Sequence, residues 1–155
     1  MKKWITLALC ILLPLAVGFV AGRITTENVI AWYPTLEKPS FTPPNYLFGP
    51  VWTVLYLLMG VSLYLIVRQP ASFNRTKALT YFSIQLLLNF WWSVFFFRFH
   101  LIGVALINII LLLAFIVFMI RSFFKVTNTA ANLQWPYLAW VSFATALNMG
   151  IWILN

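Results

Sequence analysis

The sequence predicts an all-α integral membrane protein: a bundle of five transmembrane helices without a separate soluble domain. Of its 155 residues, 63% are hydrophobic and only 8% are charged, whereas about a quarter of the residues of a soluble domain carry charge. Five uncharged stretches are close to the roughly 20 residues that a helix needs to cross the hydrocarbon core. The ten Lys and Arg residues lie between these stretches rather than inside them.

The five predicted helices form one membrane domain of residues 1–155. They cover residues 4–22, 46–67, 79–97, 101–120 and 134–154, and each range lacks Lys, Arg, Asp and Glu. Charges, prolines or polar clusters separate the ranges. The break at Arg98-Phe-His100 is so short that the third and fourth helices are expected to form a tight antiparallel pair.

The first stretch follows Lys2 and Lys3, and a basic start before an apolar run is also typical of a cleaved signal peptide. The run is about 18 residues long, which exceeds a usual signal core, and no Ala-x-Ala site closes it. We therefore expect a retained helix. Its Gly18 and Gly22 would allow close approach of a neighbouring helix, either within the bundle or at a dimer seam.

Basic residues predict the orientation, because the cytoplasmic loops of membrane proteins are enriched in Lys and Arg. With the N-terminus inside, the cytoplasmic set is Lys2, Lys3, Arg68, Arg75, Lys77, Arg121 and Lys125. The outer set is Arg23, Lys38 and Arg98. This bias predicts a cell-membrane protein with a cytoplasmic N-terminus and an outer C-terminus. The positive charges form no patch with interleaved aromatic residues, so no nucleic-acid partner is expected.

The first loop, residues 23–45, is the most unusual segment of the chain. It contains both acidic residues, Glu27 and Glu37, and five of the eight prolines fall between Pro34 and Pro50. Proline fixes its own φ and restricts the residue before it, so the loop should be stiff and structured. Its aromatic residues favour a lid over an apolar site. The alternative is an aromatic belt at the membrane surface.

Polar and aromatic side chains share faces of three predicted helices. The repeating positions are Trp52, Tyr56 and Met59 in the second helix, Gln85, Asn89 and Trp92 in the third, and Trp140, Ala144 and Asn148 in the fifth. Amides are unfavourable in hydrocarbon and normally face the bundle interior. They either join helices by hydrogen bonds or orient a ligand between the tryptophans. Such faces suit a flat, apolar, aromatic ligand.

Conventional catalytic groups are missing from the sequence. No carboxylate lies within a predicted helix, which argues against a proton relay. There is no Ser-His-Asp set and no phosphate-binding glycine loop. Cys10 and His100 are the single cysteine and histidine, so neither a disulfide nor a metal site is predicted. We expect no metal and no resident cofactor, and any chemistry would come mainly from the ligand, with tryptophan as the oxidisable side chain.

Four stretches with these residues follow one another along the chain. They are Trp32-Tyr-Pro-Thr-Leu-Glu-Lys-Pro-Ser-Phe-Thr-Pro-Pro44, Phe48-Gly-Pro-Val-Trp-Thr-Val-Leu-Tyr-Leu-Leu-Met-Gly60, Gln85-Leu-Leu-Leu-Asn-Phe-Trp-Trp-Ser93 and Pro136-Tyr-Leu-Ala-Trp-Val-Ser-Phe-Ala-Thr-Ala-Leu-Asn148. In them the sequence resembles the translocator protein family, known in bacteria as tryptophan-rich sensory proteins and in mitochondria as the peripheral benzodiazepine receptor. The stretches occur in the order found in the family, so the resemblance covers nearly the whole chain.

The resemblance implies a five-helix bundle, usually dimeric, with a ligand pocket at the first-loop end. Family members bind porphyrins such as protoporphyrin IX and synthetic isoquinoline carboxamide and benzodiazepine ligands, and some promote light-dependent oxidative breakdown of bound porphyrin. By motif, the pocket residues would be Trp32, Pro43, Trp52, Tyr56, Asn89, Phe90, Trp140, Ala144 and Leu147. Trp52 and Trp140 match the tryptophans assigned to the photochemistry. Met149 and Ile153 replace the Tyr and Arg of the cholesterol-recognition stretch of animal members, so no sterol transport is expected.

Three functions are compatible with the sequence. The first is a receptor that binds a porphyrin or a similar flat ligand within the lipid bilayer, as a homodimer, and degrades porphyrin in light. The second is a transporter of tetrapyrroles or similar amphiphiles, which would need a second opening. The third is a structural subunit whose aromatic residues serve only packing. Whether light-dependent loss of porphyrin would be enzymatic turnover stays open.

Overall fold

The computed structural model describes residues 2–155, and within this range the chain is helical and contains no strand. The helices are α1 (Lys3–Ala31), α2 (Phe48–Val67), α3 (Phe73–Ser93), α4 (Ile102–Phe124), α5 (Asn128–Asn132) and α6 (Trp135–Leu154). Two 3₁₀ turns, Tyr33–Thr35 and Asn45–Leu47, flank the first loop, and a π-helical turn over Val94–Arg98 extends α3. All of these helices except α5 are long and apolar enough to cross a membrane. This confirms the predicted fold class.

The first helix is longer than predicted. α1 continues past the predicted end at residue 22 and stops at Ala31, so much of the predicted loop is helical. The prediction ended the helix at Arg23, where the uncharged run stops. A charged residue does not interrupt helical hydrogen bonding, and α1 also accommodates Pro14 in its interior. The helix ends just before the 3₁₀ turn that begins with Tyr33 and Pro34.

The boundaries of two other helices differ from the prediction for the same reason. α3 begins at Phe73 rather than at residue 79, and Ser72 caps it by accepting a hydrogen bond of 3.1 Å from the backbone N–H of Arg75. α4 ends at Phe124 rather than at residue 120. Hydropathy marks the hydrocarbon region, while helices continue into the charged surface layers where caps end them.

α3 and α4 pack against each other along their length. Asn108 Nδ2 donates a hydrogen bond of 2.8 Å to the backbone oxygen of Leu88, and the rings of Tyr81 and Phe115 lie 6.0 Å apart. Contacts thus move up one helix as they move down the other, which is the expected antiparallel arrangement. His100, in the link between them, has a φ of 56°, a left-handed conformation that turns the chain sharply.

The apolar core follows α4, which also packs against α6. Ile109, Leu112, Ile116 and Met119 on α4 are fully buried. Their spacing of three and four residues places them on one face of the helix. The core therefore lies along the centre of the bundle, while the outer faces of the helices carry exposed apolar side chains suited to lipid.

α1 and α2 approach each other most closely at Gly60. A Cβ at this position would lie 2.9 Å from the backbone oxygen of Cys10, so only glycine allows the two backbones to meet here. Toward the first loop, space opens beside α1. Gly18 still faces the ring of Tyr56, whereas no atom would lie within 4 Å of a Cβ at Gly22. This space lies at the first-loop end of the bundle.

Residues 36–44, called the roof segment below, cross the C-terminal end of α6. Asn155 Oδ1 accepts a hydrogen bond of 3.0 Å from the backbone N–H of Glu37, and its Nδ2 donates one of 2.8 Å to the backbone oxygen. The Nζ of Lys38 lies 4.9 Å from the ring centre of Tyr33, a cation–π distance. The segment is thus held to the bundle by specific contacts, in keeping with its proline content.

Candidate functional site

A cavity of about 590 Å³ lies between α1, α2, α6 and the end of α3, at the first-loop end of the bundle. Ligand pockets in proteins are typically about 300–1,000 Å³ in volume. None of the described residues that line the cavity is Lys, Arg, Asp or Glu. Within residues 2–155, no group of three or more His, Cys, Asp or Glu is placed to hold a metal ion. The cavity therefore suits an apolar, uncharged molecular surface.

Helical spacing brings the predicted residues of two helices to this cavity. The lining positions are Phe48, Trp52 and Tyr56 on α2 and Trp140, Ala144, Leu147 and Asn148 on α6. Residues three or four apart share one face of a helix, so each set lies on the face turned to the cavity. The structure thus brings together Trp52, Tyr56, Trp140, Ala144 and Leu147.

Trp52 stands at the centre of an aromatic cluster. Its ring is stacked with Tyr56 at 5.7 Å and an interplanar angle of 30°. Trp92 lies 6.1 Å from it, and Tyr137 meets it edge-on at 6.3 Å. Aromatic pairs prefer these offset and T-shaped geometries because of the quadrupoles of the rings. The cluster fixes the Trp52 ring as a rigid wall of the cavity.

Trp140 also lines the cavity, and its ring lies edge-on to Phe48 at 5.9 Å. Its indole Nε1 is buried and has no hydrogen-bond partner among the described residues. By contrast, the Nε1 of Trp92 donates to Asn148 Oδ1 at 3.0 Å. An unpaired buried donor is unfavourable by about 1–3 kcal/mol. Because the Nε1 of Trp140 is buried, the ring rather than the N–H group of this residue is presented to the cavity.

Asn89, a predicted ligand residue, lies beneath the cavity and does not line it. It accepts a hydrogen bond of 2.7 Å from the Tyr56 hydroxyl and donates one of 2.9 Å to Tyr137. The Tyr137 hydroxyl donates in turn to Gln85 Oε1 at 2.7 Å. The amides of α3 thus join α2, α3 and α6, which is the interhelical role that the sequence left as an alternative.

Trp32, Pro43 and Phe90 are also predicted ligand residues that the structure places outside the cavity lining. Trp32 stacks on His100 with 3.9 Å between ring centres. Phe90 lines a separate apolar groove between α1 and α3, and Pro43 is half-buried in the roof segment. A motif specifies that a residue is present in a segment, but the packing of that segment decides where its side chain points.

The lining residues that were not identified from the sequence include Tyr33, Phe96 and Phe97. Tyr33 lies in the 3₁₀ turn after α1 and meets Phe97 edge-on at 5.6 Å. Phe96 and Phe97 lie in the π-helical turn, with 4.7 Å between their rings. A π turn breaks the 3.6-residue period, so spacing could not place these side chains. The run Phe95-Phe-Phe97 is the one signal in the sequence.

The sequence is similar to those of several known proteins over most of its length. The tryptophan-rich protein TspO of Chlorobaculum tepidum is 43% identical over 155 residues, which cover 99% of this chain and 98% of the relative. The tryptophan-rich protein TspO of Archaeoglobus fulgidus is 42% identical over 145 residues, or 94% of each chain. The translocator protein of Homo sapiens is 35% identical over 136 residues, which cover 86% of this chain and 80% of the relative.

The TspO/MBR family model matches residues 10–153, which include all the residues that line the cavity. The similar proteins are covered over most of their own length, so the likeness concerns whole chains rather than a shared segment. The five long apolar helices agree with a multi-pass membrane protein. The chain belongs to the TspO/MBR family and is a membrane protein of the TspO and translocator type.

Proposed function

We propose that this protein is a membrane receptor for flat, largely apolar ring systems. The ligand class comprises tetrapyrroles such as protoporphyrin IX and synthetic ligands of the isoquinoline carboxamide and benzodiazepine type. The proposal is carried by the uncharged cavity whose walls include Trp52, Trp92 and Trp140. Aromatic walls of this kind bind ring systems by offset stacking and edge contacts. Family membership supports the same ligand class through the resemblance described above.

The expected affinity follows from the number of aromatic contacts. Each contributes about 0.5–1.5 kcal/mol beyond the burial of its area. A micromolar dissociation constant corresponds to about 8.2 kcal/mol. A handful of such contacts, together with the burial of an apolar ring system, is compatible with micromolar binding.

We further propose that the protein promotes the light-dependent oxidative breakdown of bound porphyrin. The porphyrin is the chromophore, dioxygen is the oxidant and the macrocycle loses electrons. The role of the protein is to hold the ring between Trp52 and Trp140, the oxidisable side chains that face the cavity from α2 and α6. This role needs no acid–base residue, in agreement with the uncharged lining.

A receptor fits the cavity better than a carrier does. Transport would need a path toward the other end of the bundle. Beneath the cavity, however, Asn89, Tyr137 and Gln85 are buried and hydrogen-bonded to one another. Below them, the fully buried side chains of Met59 and Phe82 fill the interior of the bundle. We also place the protein in the cell membrane as a homodimer with a cytoplasmic N-terminus, as the charge bias and the resemblance predict.

Titration of the purified protein with protoporphyrin IX in the dark tests binding, and illumination of the same samples tests breakdown. We expect saturable quenching of tryptophan fluorescence, followed in light by loss of the porphyrin absorbance band faster than in protein-free micelles. Quenching that never saturates would reject the receptor. Saturable binding with an unaccelerated loss of the band would leave the receptor and reject the photochemical role.

A further inference from the structure

The roof segment runs between Tyr33 and Asn45, which both line the cavity, while its own residues lie outside the lining. Besides the paired hydrogen bonds between Asn155 and Glu37, the ring of Phe41 packs edge-on against α6. The segment is therefore held against α6 at the first-loop end of the bundle.

A second contact holds the roof segment where it crosses α6. Pro39 packs so closely on Gly150 that a Cβ there would overlap the proline ring. Glycine at this position therefore lets the roof lie directly on the helix. The contact between Pro39 and Gly150 and the hydrogen bonds between Asn155 and Glu37 thus hold the segment at two separate points near the C-terminal end of α6.

The side of the cavity between α1 and α2 is open. The two helices touch at Gly60, whereas the glycines nearer the first loop face open space. Gly22 of α1 and Gly49 of α2 both line the cavity, and a Cβ on either would meet no atom within 4 Å. Both glycines are exposed. The missing side chains therefore leave a gap that connects the cavity with the outside of the bundle.

This gap lies between two helices that are long and apolar enough to span a membrane. Its edges belong to the candidate spans Lys3–Thr35 and Asn45–Val67. Phe19 and Ile30 line the cavity on α1, yet their side chains are 69% and 71% exposed. Large apolar side chains with such exposure are favourable in lipid and unfavourable in water. The apolar surface around the opening therefore suits contact with lipid better than contact with water.

We propose that the gap between Gly22 and Gly49 is a lateral portal through which ligands reach the cavity from the lipid. This inference rests on the proposed function and adds the route by which the ligand enters. The molecule that passes through the portal is a flat, apolar ring system dissolved in the bilayer. Such molecules partition into hydrocarbon because their apolar surface leaves water. The open side between α1 and α2 then favours this route, and the binding rate follows the ratio of ligand to lipid.

Blocking the portal tests this route. Gly22→Phe and Gly49→Phe each place a ring in open space at the gap, and Ala8→Phe is the matched control because Ala8 is exposed on α1 away from the cavity. Stopped-flow quenching by protoporphyrin IX in vesicles of the full-length protein measures association and dissociation. We expect both rates to fall about tenfold in the portal variants and to keep the wild-type values in Ala8→Phe, because a narrowed gate slows passage in both directions.

The roof variant Asn155→Ala supplies the opposing test. Unchanged rates in both portal variants, or faster association in Asn155→Ala, would overturn the lateral route. If phenylalanine abolishes binding, the association and dissociation rates are compared for Gly49→Ala and Gly49→Val instead. Their smaller side chains narrow the gap stepwise, so unchanged rates in both would overturn the lateral route. Absence of saturable binding by the wild-type protein would instead reject the proposed function, so the two failures are distinguishable.

Discussion

The Tyr56 hydroxyl of α2 donates a hydrogen bond of 2.7 Å to Asn89 Oδ1 of α3, one helical turn beneath the cavity. The same tyrosine stacks on Trp52, and its ring faces Gly18 of α1. One side chain thus connects a wall of the cavity with the hydrogen bonds that hold the bundle together. Changes at Tyr56 and its neighbours are therefore expected to alter binding and stability together.

Tyr56→Phe should destabilise the protein by about 1 kcal/mol, because it removes one interhelical hydrogen bond and leaves a buried acceptor on Asn89. Unfolding in mixed micelles with increasing denaturing detergent measures the effect. Tyr64→Phe on the same helix is the control, since the Tyr64 hydroxyl has no hydrogen bond within residues 2–155. Equal stabilities of the two variants would show that the Tyr56 bond contributes nothing.

Gly18→Ala and Gly22→Ala form a matched pair on one helix. The new methyl group at Gly18 would overlap the ring of Tyr56, whereas the one at Gly22 would meet open space. Overpacking typically costs about 1–3 kcal/mol, and replacing helical glycine with alanine gains up to about 1 kcal/mol. We expect Gly18→Ala to weaken both stability and porphyrin binding, and Gly22→Ala to leave stability equal or higher. The reverse order would contradict the packing described for α1 and α2.

Trp52→Phe and Trp140→Phe should slow the photobleaching of bound porphyrin while the fold stays intact. Each variant also loses contact area with the porphyrin. We expect the binding free energy to fall by about 1 kcal/mol, so the dissociation constant should rise about fivefold. Bleaching is therefore compared at saturating porphyrin. Trp4→Phe is the control, because Trp4 is 80% exposed and lies far along α1 from the cavity. Wild-type bleaching rates in both cavity variants would remove the photochemical role of these tryptophans.

Asn155→Ala should loosen the roof segment. The backbone N–H of Glu37 loses its acceptor, so its hydrogen exchange should accelerate about fivefold, which corresponds to a hydrogen bond of about 1 kcal/mol. The N–H of Thr42 bonds to Pro39 within the segment at 3.1 Å and serves as an internal reference. Equal acceleration at both amides would indicate general unfolding of the loop rather than loss of this bond.

The predicted orientation is testable with single cysteines. Ser40→Cys in the roof segment and Ala71→Cys between α2 and α3 are both exposed positions on opposite ends of the bundle. A membrane-impermeant maleimide applied to intact cells should label Ser40→Cys and not Ala71→Cys, because the basic residues near Ala71 favour the cytoplasm. The native Cys10 is buried, and the unsubstituted protein gives the background. The opposite pattern would invert the topology.

Much of the candidate site could be predicted because it lies on regular helices. A four-residue spacing places Trp52 and Tyr56 on one face, and Trp140 and Ala144 on another, whatever the partners of those helices are. Tyr33 and Phe96 could not be placed in this way, since they lie in a 3₁₀ turn and a π turn. Phe90 lies on a regular helix, yet its neighbours rather than its motif decide that it faces an outer groove.

The sequence by itself determined the number of membrane spans and the residues available to the site. The thickness of the hydrocarbon core sets a length that uncharged runs must match, and that length can be read along the chain. Only the tertiary structure decided where α1 and α2 meet, that Asn89 holds helices together, and that the roof segment rests on α6. These features depend on contacts between residues far apart in the chain, such as the 118 positions between Glu37 and Asn155. Local periodicity carries no information about such pairs, because a helix specifies the direction of its own side chains but not the neighbour that they meet.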